Sequence, residues 1–359
     1  MLTILTFLAI LVVLVLIHEF GHYIAAKKNG VFVEEFGFGF PPRAIGKKIG
    51  ETLYSINFIP LGGFVKLYGE EYHEHEGKKE KPEHPKHRAF VHKSPLQKTV
   101  ILTAGVIMNF LLGWIIYSYL LVSGIPSAAG IAIEEVQSGS PAQAIGLMKG
   151  DQLVKLQHGD TVVQLNVAPD LINSAERFGD KEVALTVLRE GSNKTFYITP
   201  RKNPPKGQGA LGIVITQIIQ KKQYPWYQAP VMGFVEAATT TKQIAIELFK
   251  IPASLFTQNA TPVEFAGPVG IAKIVGEARQ YGLNALLQLT ALLSLNLAVI
   301  NILPFPALDG GRLVFVFYEW ITGKKSNQNL EKYLNLAGII ILLSLSAIIT
   351  IADIQKLWG

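Results

Sequence analysis

Four long stretches of the chain are almost free of charged side chains, and each is long enough to cross the apolar core of a bilayer as a helix. They cover residues 1–26, 99–133, 280–308 and 333–352. The first stretch lacks the basic start and the small-residue cleavage site of a signal peptide, so we expect it to be retained as a helix. The pattern therefore predicts a multi-pass α-helical membrane protein with about four transmembrane helices.

The segments between these stretches carry other periodicities. Residues 31–40 and 52–68 are rich in aromatic and β-branched side chains that alternate with polar ones, which predicts extended strands. Strands are also expected at 130–136, 182–189 and 194–200, with a helix near 169–178, which indicates an inserted α+β domain.

Residues 231–251 form an apolar run that is interrupted by two glutamates and two lysines and preceded by Trp226 and Tyr227. This run is too polar to span a bilayer comfortably, so we expect an interfacial helix with aromatic anchors.

These observations divide the chain into eight segments. They are a first transmembrane helix (1–26), a cytoplasmic loop (27–97), a second transmembrane helix (98–124), the α+β domain (125–220), an interfacial amphipathic region (221–279), a third transmembrane helix (280–310), a cytoplasmic segment (311–332) and a fourth transmembrane helix (333–353).

Composition supports this picture. Hydrophobic residues make up 49% of the 359 positions and charged residues 17%, with a mean hydropathy of +0.30. The absence of cysteine excludes disulfides, thiolate zinc sites and a cysteine nucleophile. The net charge of +6 does not indicate a nucleic-acid partner, because no basic stripe with interleaved aromatic residues is present.

The loops differ in their density of basic residues. Residues 25–97 carry twelve lysines and arginines in 73 positions, whereas residues 124–282 carry fifteen in 159. The denser loop is expected in the cytoplasm. We therefore expect both termini and the α+β domain outside.

One motif in the first apolar stretch carries chemistry: His18-Glu19-Phe20-Gly21-His22. Histidines four apart on a helix share one face, so both rings can reach one zinc ion. Glu19 is turned about 100° from His18 and suits a general base that takes a proton from water. Ionisable residues at membrane depth are costly and usually functional.

A catalytic zinc site needs a third protein ligand. Glu34 and Glu35 are the nearest carboxylates downstream of His22. A soluble-type zinc protease with a membrane anchor would use such a residue as its third ligand. Asp309 is the better candidate, because it follows Pro304 and Pro306 at the end of the third apolar stretch. A helix broken at membrane depth survives only where protein or a water-filled cavity covers it.

Five of the eight histidines lie in the charged segment 70–93. A second metal site is conceivable there, but a solvated loop is favoured, since glutamate, lysine and proline dominate the segment.

With these residues together, the chain resembles the site-2 protease family of intramembrane zinc metalloproteases, in its bacterial regulator-of-sigma-E protease branch. The resemblance rests on His18 to His22 and on four further motifs. These are Ile59-Pro-Leu-Gly-Gly-Phe-Val-Lys66, Ala104-Gly-Val-Ile-Met-Asn109, Phe265-Ala-Gly-Pro-Val-Gly-Ile271 and Asn301-Ile-Leu-Pro-Phe-Pro-Ala-Leu-Asp309-Gly310-Gly311.

The resemblance implies a role for each matching residue. It implies Zn²⁺ bound by His18, His22 and Asp309, and Glu19 as the catalytic base. Asn301 is expected to bind substrate or the developing oxyanion. A membrane-associated β-hairpin is expected to pair with unwound substrate through Ile59, Pro60, Leu61, Gly62, Gly63 and Phe64, and Asn109 and Gly310 are expected to support the site.

The inserted domain resembles a circularly permuted PDZ domain through residues 138–153, Ser-Gly-Ser-Pro-Ala-Gln-Ala-Ile-Gly-Leu-Met-Lys-Gly-Asp-Gln-Leu. Such domains add a peptide strand to an exposed edge, here expected at Gly130 to Val136 opposite the helix near 169–178. A small β domain that acts only as a spacer is the alternative. Relatives with two tandem PDZ domains are known, whereas this chain has room for one.

The resemblance implies an endopeptidase of the bacterial plasma membrane that cuts the transmembrane helices of single-pass proteins, of the anti-sigma-factor or signal-peptide-remnant type. The PDZ domain would receive peptide termini or the products of an upstream protease. Two alternatives are a non-catalytic membrane scaffold that captures peptides, and the anchored soluble-type protease.

Overall fold

The computed structural model describes residues 2–70, 85–205, 207–254 and 266–358. Most of the histidine-rich segment, at 71–84, and Phe265 of one motif therefore lie outside the described residues. The chain forms two compact units, the first made of residues 1–122 and 224–359 and the second of residues 123–223. The inserted domain was predicted at 125–220.

The described elements are numbered in chain order. The helices are α1 (Leu2–Lys28), α2 (Pro95–Ser123), α3 (Pro141–Ala144), α4 (Ala168–Arg177), α5 (Ala229–Ser254), α6 (Pro268–Gln280), α7 (Leu283–Ile302), α8 (Asp309–Thr322) and α9 (Gln328–Trp358). The strands are β1 (Val33–Ile49), β2 (Thr52–Leu67), β3 (Ile125–Val136), β4 (Gln152–His158), β5 (Thr161–Gln164), β6 (Val183–Arg189), β7 (Ser192–Ile198) and β8 (Ile213–Lys222).

Helices α1, α2, α7 and α9 are long and apolar enough to cross a membrane, as the four apolar stretches predict. Large apolar side chains such as Leu5, Ile115 and Leu343 are exposed along them. Such a surface suits lipid contact and is unfavourable in water. The first unit therefore has the helices and the apolar surface of a membrane protein.

The predicted third transmembrane helix, 280–310, is shorter than expected. Gln280 ends α6, and Gly282, at φ 94°, separates α6 from α7. Helix α7 ends at Ile302 because Pro304 and Pro306 lack the N–H groups that would continue it.

Most of helix α8 lies in the segment 311–332, for which the sequence predicted a cytoplasmic location and no particular secondary structure. Helix α8 starts at Asp309 and buries one apolar stripe that includes Leu313 and Val316. These two side chains pack with Leu102 of α2.

Helix α5 covers the predicted interfacial helix at 231–251. Its first turns lie against α2, where the Trp114 Nε1–H donates to the Pro230 carbonyl at 2.7 Å and Phe234 contacts the Trp114 ring. Helix α5 is not one of the four candidate spans in the described part of the chain, and its location at the membrane surface stays a prediction.

Strands β1 and β2 form a long antiparallel hairpin that folds back on itself. Phe36 lies opposite both Tyr54 and Val65, so the start of β1 is flanked on both sides by parts of β2. The strand predicted at 31–40 continues to Ile49. Val33 and Leu67 are buried with residues of α1 and α2, which fixes the hairpin to these two helices.

The second unit contains a sheet in the order β7-β6-β4-β3-β8, with β5 paired to β4. Its core is formed by apolar side chains of these strands with α4. The prediction of a free edge at Gly130 to Val136 is wrong, because β8 pairs along the whole of β3 and β4 pairs at Ile131 and Ala132. The strand that ends the sheet beside β3 is β8, and the sequence did not predict it.

Candidate metal centre

Three side chains from the two ends of the chain converge in the first unit. His18 and His22 lie one turn apart on α1, and Asp309 is the first residue of α8. The Nε2 atoms of the histidines are 3.2 Å apart, and Asp309 Oδ2 lies 3.1 Å from His18 Nε2 and 3.3 Å from His22 Nε2. Among the described residues they form the group of ligand-type side chains that could hold a metal ion. They fit a site with two nitrogen ligands and one oxygen ligand.

Both histidines are oriented through their Nδ1 atoms. His22 Nδ1 lies 2.8 Å from the Ile101 carbonyl oxygen of α2, so it carries the proton and donates it to this acceptor. The lone pair of His22 Nε2 then faces the cluster. This arrangement, with the far ring nitrogen held by an acceptor, is usual for metal-binding histidines.

His18 has the fully buried Asn109 as its corresponding partner. The Asn109 amide lies with Nδ2 3.3 Å from His18 Nδ1, and its Oδ1 has no hydrogen-bond partner. The two ends of an amide are assigned from their partners. With the ends exchanged, Oδ1 accepts the proton of His18 Nδ1 and the unpartnered atom disappears. The residues present therefore fit a bound metal ion.

Two glycines allow the helices to approach at this point. A Cβ added at Gly105 of α2 would overlap the His18 and His22 rings, and one added at Gly21 of α1 would overlap the Ala104 carbonyl. Small residues that let two membrane helices approach closely are typical of such interfaces. A Cβ at Gly310 would likewise overlap the carbonyl groups at the end of α7, so this glycine lets α8 begin beside α7.

Glu19 lies next to the cluster and against the hairpin. A Cβ built at Gly63 would lie 3.2 Å from Glu19 Cγ and 2.8 Å from Val15 Cγ1, so the backbone of β2 contacts α1 here. Asn301 near the end of α7 also reaches the cluster, with Nδ2 3.5 Å from His18 Nε2.

The other hairpin residues singled out by the sequence lie around Gly63. Ile59 pairs with Phe40, and Gly63 pairs with Phe38. Gly62 has a φ of 85°, which favours glycine. Phe64 contacts Gly37. The side chains of residues 60 and 61 lie outside what the structure describes.

The alternative ligands Glu34 and Glu35 are engaged elsewhere. Glu35 accepts hydrogen bonds from Ser55 Oγ at 2.5 Å and from Arg43 at 2.9 Å. Glu34 forms an ion pair with Lys66 at 2.8 Å. The structure thus places Asp309, and neither glutamate, beside the histidines.

Two ion pairs that the sequence analysis missed hold α8. Lys98 of α2 contacts Glu319 at 2.6 Å, and Arg312 contacts Glu70, just after β2. Neither pair has a signal in local spacing, because the partners lie more than two hundred residues apart in the chain. The Ile101 carbonyl left no signal because every residue has one.

Comparison with known proteins shows the family of the chain. The model of the family described as Peptidase family M50 matches residues 6–345. The chain belongs to this family. A Clostridium perfringens protein named as a zinc metalloprotease is 33% identical over 347 residues, which cover 95% of each chain. The zinc metalloprotease RasP of Bacillus licheniformis is 29% identical over 433 aligned positions, and the regulator of sigma-W protease RasP of Bacillus subtilis is 28% identical over 428; both alignments cover 99% of each chain. Membership of Peptidase family M50 makes the chain a peptidase.

Proposed function

We propose that the protein is an intramembrane zinc endopeptidase that cuts the transmembrane helices of single-pass membrane proteins. One observation carries the proposal: His18, His22 and Asp309 converge between helices long enough to cross a membrane, with Glu19 beside them. When bound, zinc would supply a Lewis acid for the attacking water and the scissile carbonyl.

The residues of the chain have separate roles in this reaction. Glu19 accepts a proton from the attacking water and passes it to the nitrogen of the leaving amine. Asn301 donates a hydrogen bond to the carbonyl oxygen as negative charge develops there. Asn109 and the Ile101 carbonyl hold the two histidine rings in the tautomer that binds a metal ion.

The hairpin gives this site an extended substrate. A helical peptide bond is shielded by its own hydrogen bonds, so the substrate must be unwound before water can attack it. In the described residues, positions 63–67 of β2 pair with β1 on one side. Gly63 of this strand lies beside Glu19, and an unwound substrate would pair with backbone groups along the other side of the strand.

The second unit is proposed to select substrates as a PDZ-like domain. Strand β8 ends its sheet, and Gln217 on this strand donates hydrogen bonds to the Gly130 carbonyl at 2.5 Å and to the Asn166 carbonyl at 2.9 Å. A peptide terminus left by an upstream protease would add to the outer edge of β8.

A deletion separates this role from a spacer role. Replacing residues 127–218 by a short linker should preserve cleavage of a substrate that is already trimmed and should relax discrimination against untrimmed substrates. Complete inactivity of a folded, zinc-loaded deletion variant would reject substrate selection as the role of this unit.

The non-catalytic scaffold is the less favoured function, because every residue of the reaction is present. The Glu19→Gln variant tests catalysis directly. It should bind zinc as the unchanged protein does and lose about 10²–10⁴-fold in the rate of peptide-bond cleavage. The control Glu247→Gln removes an exposed carboxylate of α5 and should cleave normally. Cleavage by Glu19→Gln at the unchanged rate would support the scaffold function.

A further inference from the structure

The broken backbone between α7 and α8 must satisfy its own hydrogen bonds at membrane depth. Pro304 and Pro306 have no N–H group. The Leu303 N–H donates to the Ile300 carbonyl at 3.1 Å, and the Phe305 and Leu308 N–H groups donate to carbonyls of the same segment at 2.7 and 3.2 Å. The remaining donor is the Ala307 N–H.

Ala307 donates to a different membrane-crossing helix. Its N–H lies 3.3 Å from Oδ1 of Asn335, which is on α9. Ala307 also has a φ of 75°, in the left-handed region that is unfavourable for a residue with a Cβ. The position two residues before Asp309 is thus strained, and it is held by one side-chain acceptor.

Helix α9 packs closely against the segment between α7 and α8. A Cβ built at Gly338, one turn after Asn335, would overlap the Pro306 carbonyl. Gly338 is buried, whereas most of the described α9 residues near it are exposed. The contact therefore places the Asn335 amide against the turn, and α9 is positioned to set the conformation of this turn.

We propose that Asn335 is a positioning residue of the metal centre. By accepting the Ala307 N–H it holds the left-handed turn that starts α8 at Asp309, and so sets the Asp309 carboxylate against the two histidines. This inference rests on the proposed function, since it assigns Asn335 to the same centre. Asn335 acts through the backbone and contacts neither substrate nor metal.

The test compares Asn335→Leu, which removes the acceptor, with Asn335→Asp, which keeps one. Ser344→Leu is the matched control, because it adds the same side chain at an exposed position of α9.

Asn335→Leu should lower kcat about 10- to 100-fold with KM within about twofold, since the substrate-pairing strand does not depend on α9. The visible spectrum of the Co²⁺-substituted protein should change with it, because that spectrum reports the ligand geometry. Asn335→Asp should recover most of kcat and the spectrum.

A second substitution tests the turn itself. Ala307→Gly removes the cost of the left-handed conformation and should recover about fivefold of kcat in the Asn335→Leu background. Ala307→Val, with Asn335 intact, should reproduce the loss of kcat and the spectral change, because a β-branched residue disfavours this conformation.

The outcomes separate this inference from the proposed function. Unchanged kcat and an unchanged cobalt spectrum in both Asn335→Leu and Ala307→Val, with Asp309→Ala inactive, would overturn the role of Asn335 alone. Full activity of Asp309→Ala would instead overturn the proposed function. If Asn335→Leu does not fold, Ala307→Val with its spectrum decides the question.

Discussion

Gly105 offers a sharp test of how the metal centre is packed. In the Gly105→Ala variant, the new methyl group would lie 2.7 Å from His18 Cε1 and 2.8 Å from His18 Nε2, and it would also overlap the His22 ring. Ordinary contact begins near 3.4 Å. The His18 ring would therefore have to move by about 0.7 Å, the difference between 3.4 and 2.7 Å, whereas a metal site tolerates only about 0.2 Å in its ligand distances.

The expected loss of zinc affinity follows from this displacement. Overpacking of this kind costs about 1–3 kcal/mol, which corresponds to roughly 5- to 150-fold in the dissociation constant. Replacing glycine by alanine inside a helix also stabilises it by about 1 kcal/mol. The variant should therefore fold and still bind zinc more weakly.

Gly113→Ala is the matched control on the same helix. Its added methyl group would overlap the Leu295 side chain and no metal ligand. Zinc affinity, measured by competition with a chelator in detergent solution, should fall for Gly105→Ala and stay unchanged for Gly113→Ala. Equal zinc affinity in the two variants would refute this packing of α2 against the histidines.

The remaining predictions concern the second unit and the orientation. Burial alone would raise the pKa of the Asp151 carboxyl, but the hydrogen bonds from Arg189, at 2.6 and 2.7 Å, outweigh it and hold this pKa below its usual value. The pair should therefore stabilise the unit fully above about pH 4 and lose this effect as the pH falls through the lowered pKa. Asp151→Asn should lower the free energy of unfolding by about 3 kcal/mol at pH 7. In thermal melts, the difference in melting temperature between the variant and the unchanged protein should shrink in acid. A difference that stays constant with pH would contradict the pairing. Reporter fusions at Gly77 and Gly191 should report the cytoplasm and the outside, respectively, and a cytoplasmic Gly191 would reverse the proposed orientation.

The sequence predicted those parts of the structure that rest on local patterns. Four stretches that are almost free of charge predicted the four membrane-length helices, because a bilayer core disfavours charge whatever the neighbouring helices are. Helix α8 was not predicted, because the two glycines near its start and its charged side chains interrupt the apolar pattern. Strand β8 was missed too, and the edge assigned to β3 was wrong as a result. Which strand covers β3 depends on pairing across about eighty residues.

In the metal centre, too, local spacing predicted some features, while others depend on how distant segments pack. The spacing of His18 and His22 predicted two ligands on one helix face. The convergence of Asp309 depends on the packing of α8, which no local spacing expresses. The Ile101 carbonyl and the close approach at Gly105 appear only when α1 and α2 are placed together.

The most direct measurement is the zinc content and peptide cleavage of Asp309→Ala beside Glu34→Gln and Glu35→Gln. Asp309 Oδ2 lies within 3.3 Å of both histidine Nε2 atoms, whereas the glutamates pair with other residues. Asp309→Ala should abolish cleavage and weaken zinc binding, because two neutral imidazoles leave the charge of the ion uncompensated. The two glutamate variants should keep zinc and activity. Zinc and activity retained in Asp309→Ala, with both lost in either glutamate variant, would contradict the intramembrane metal centre.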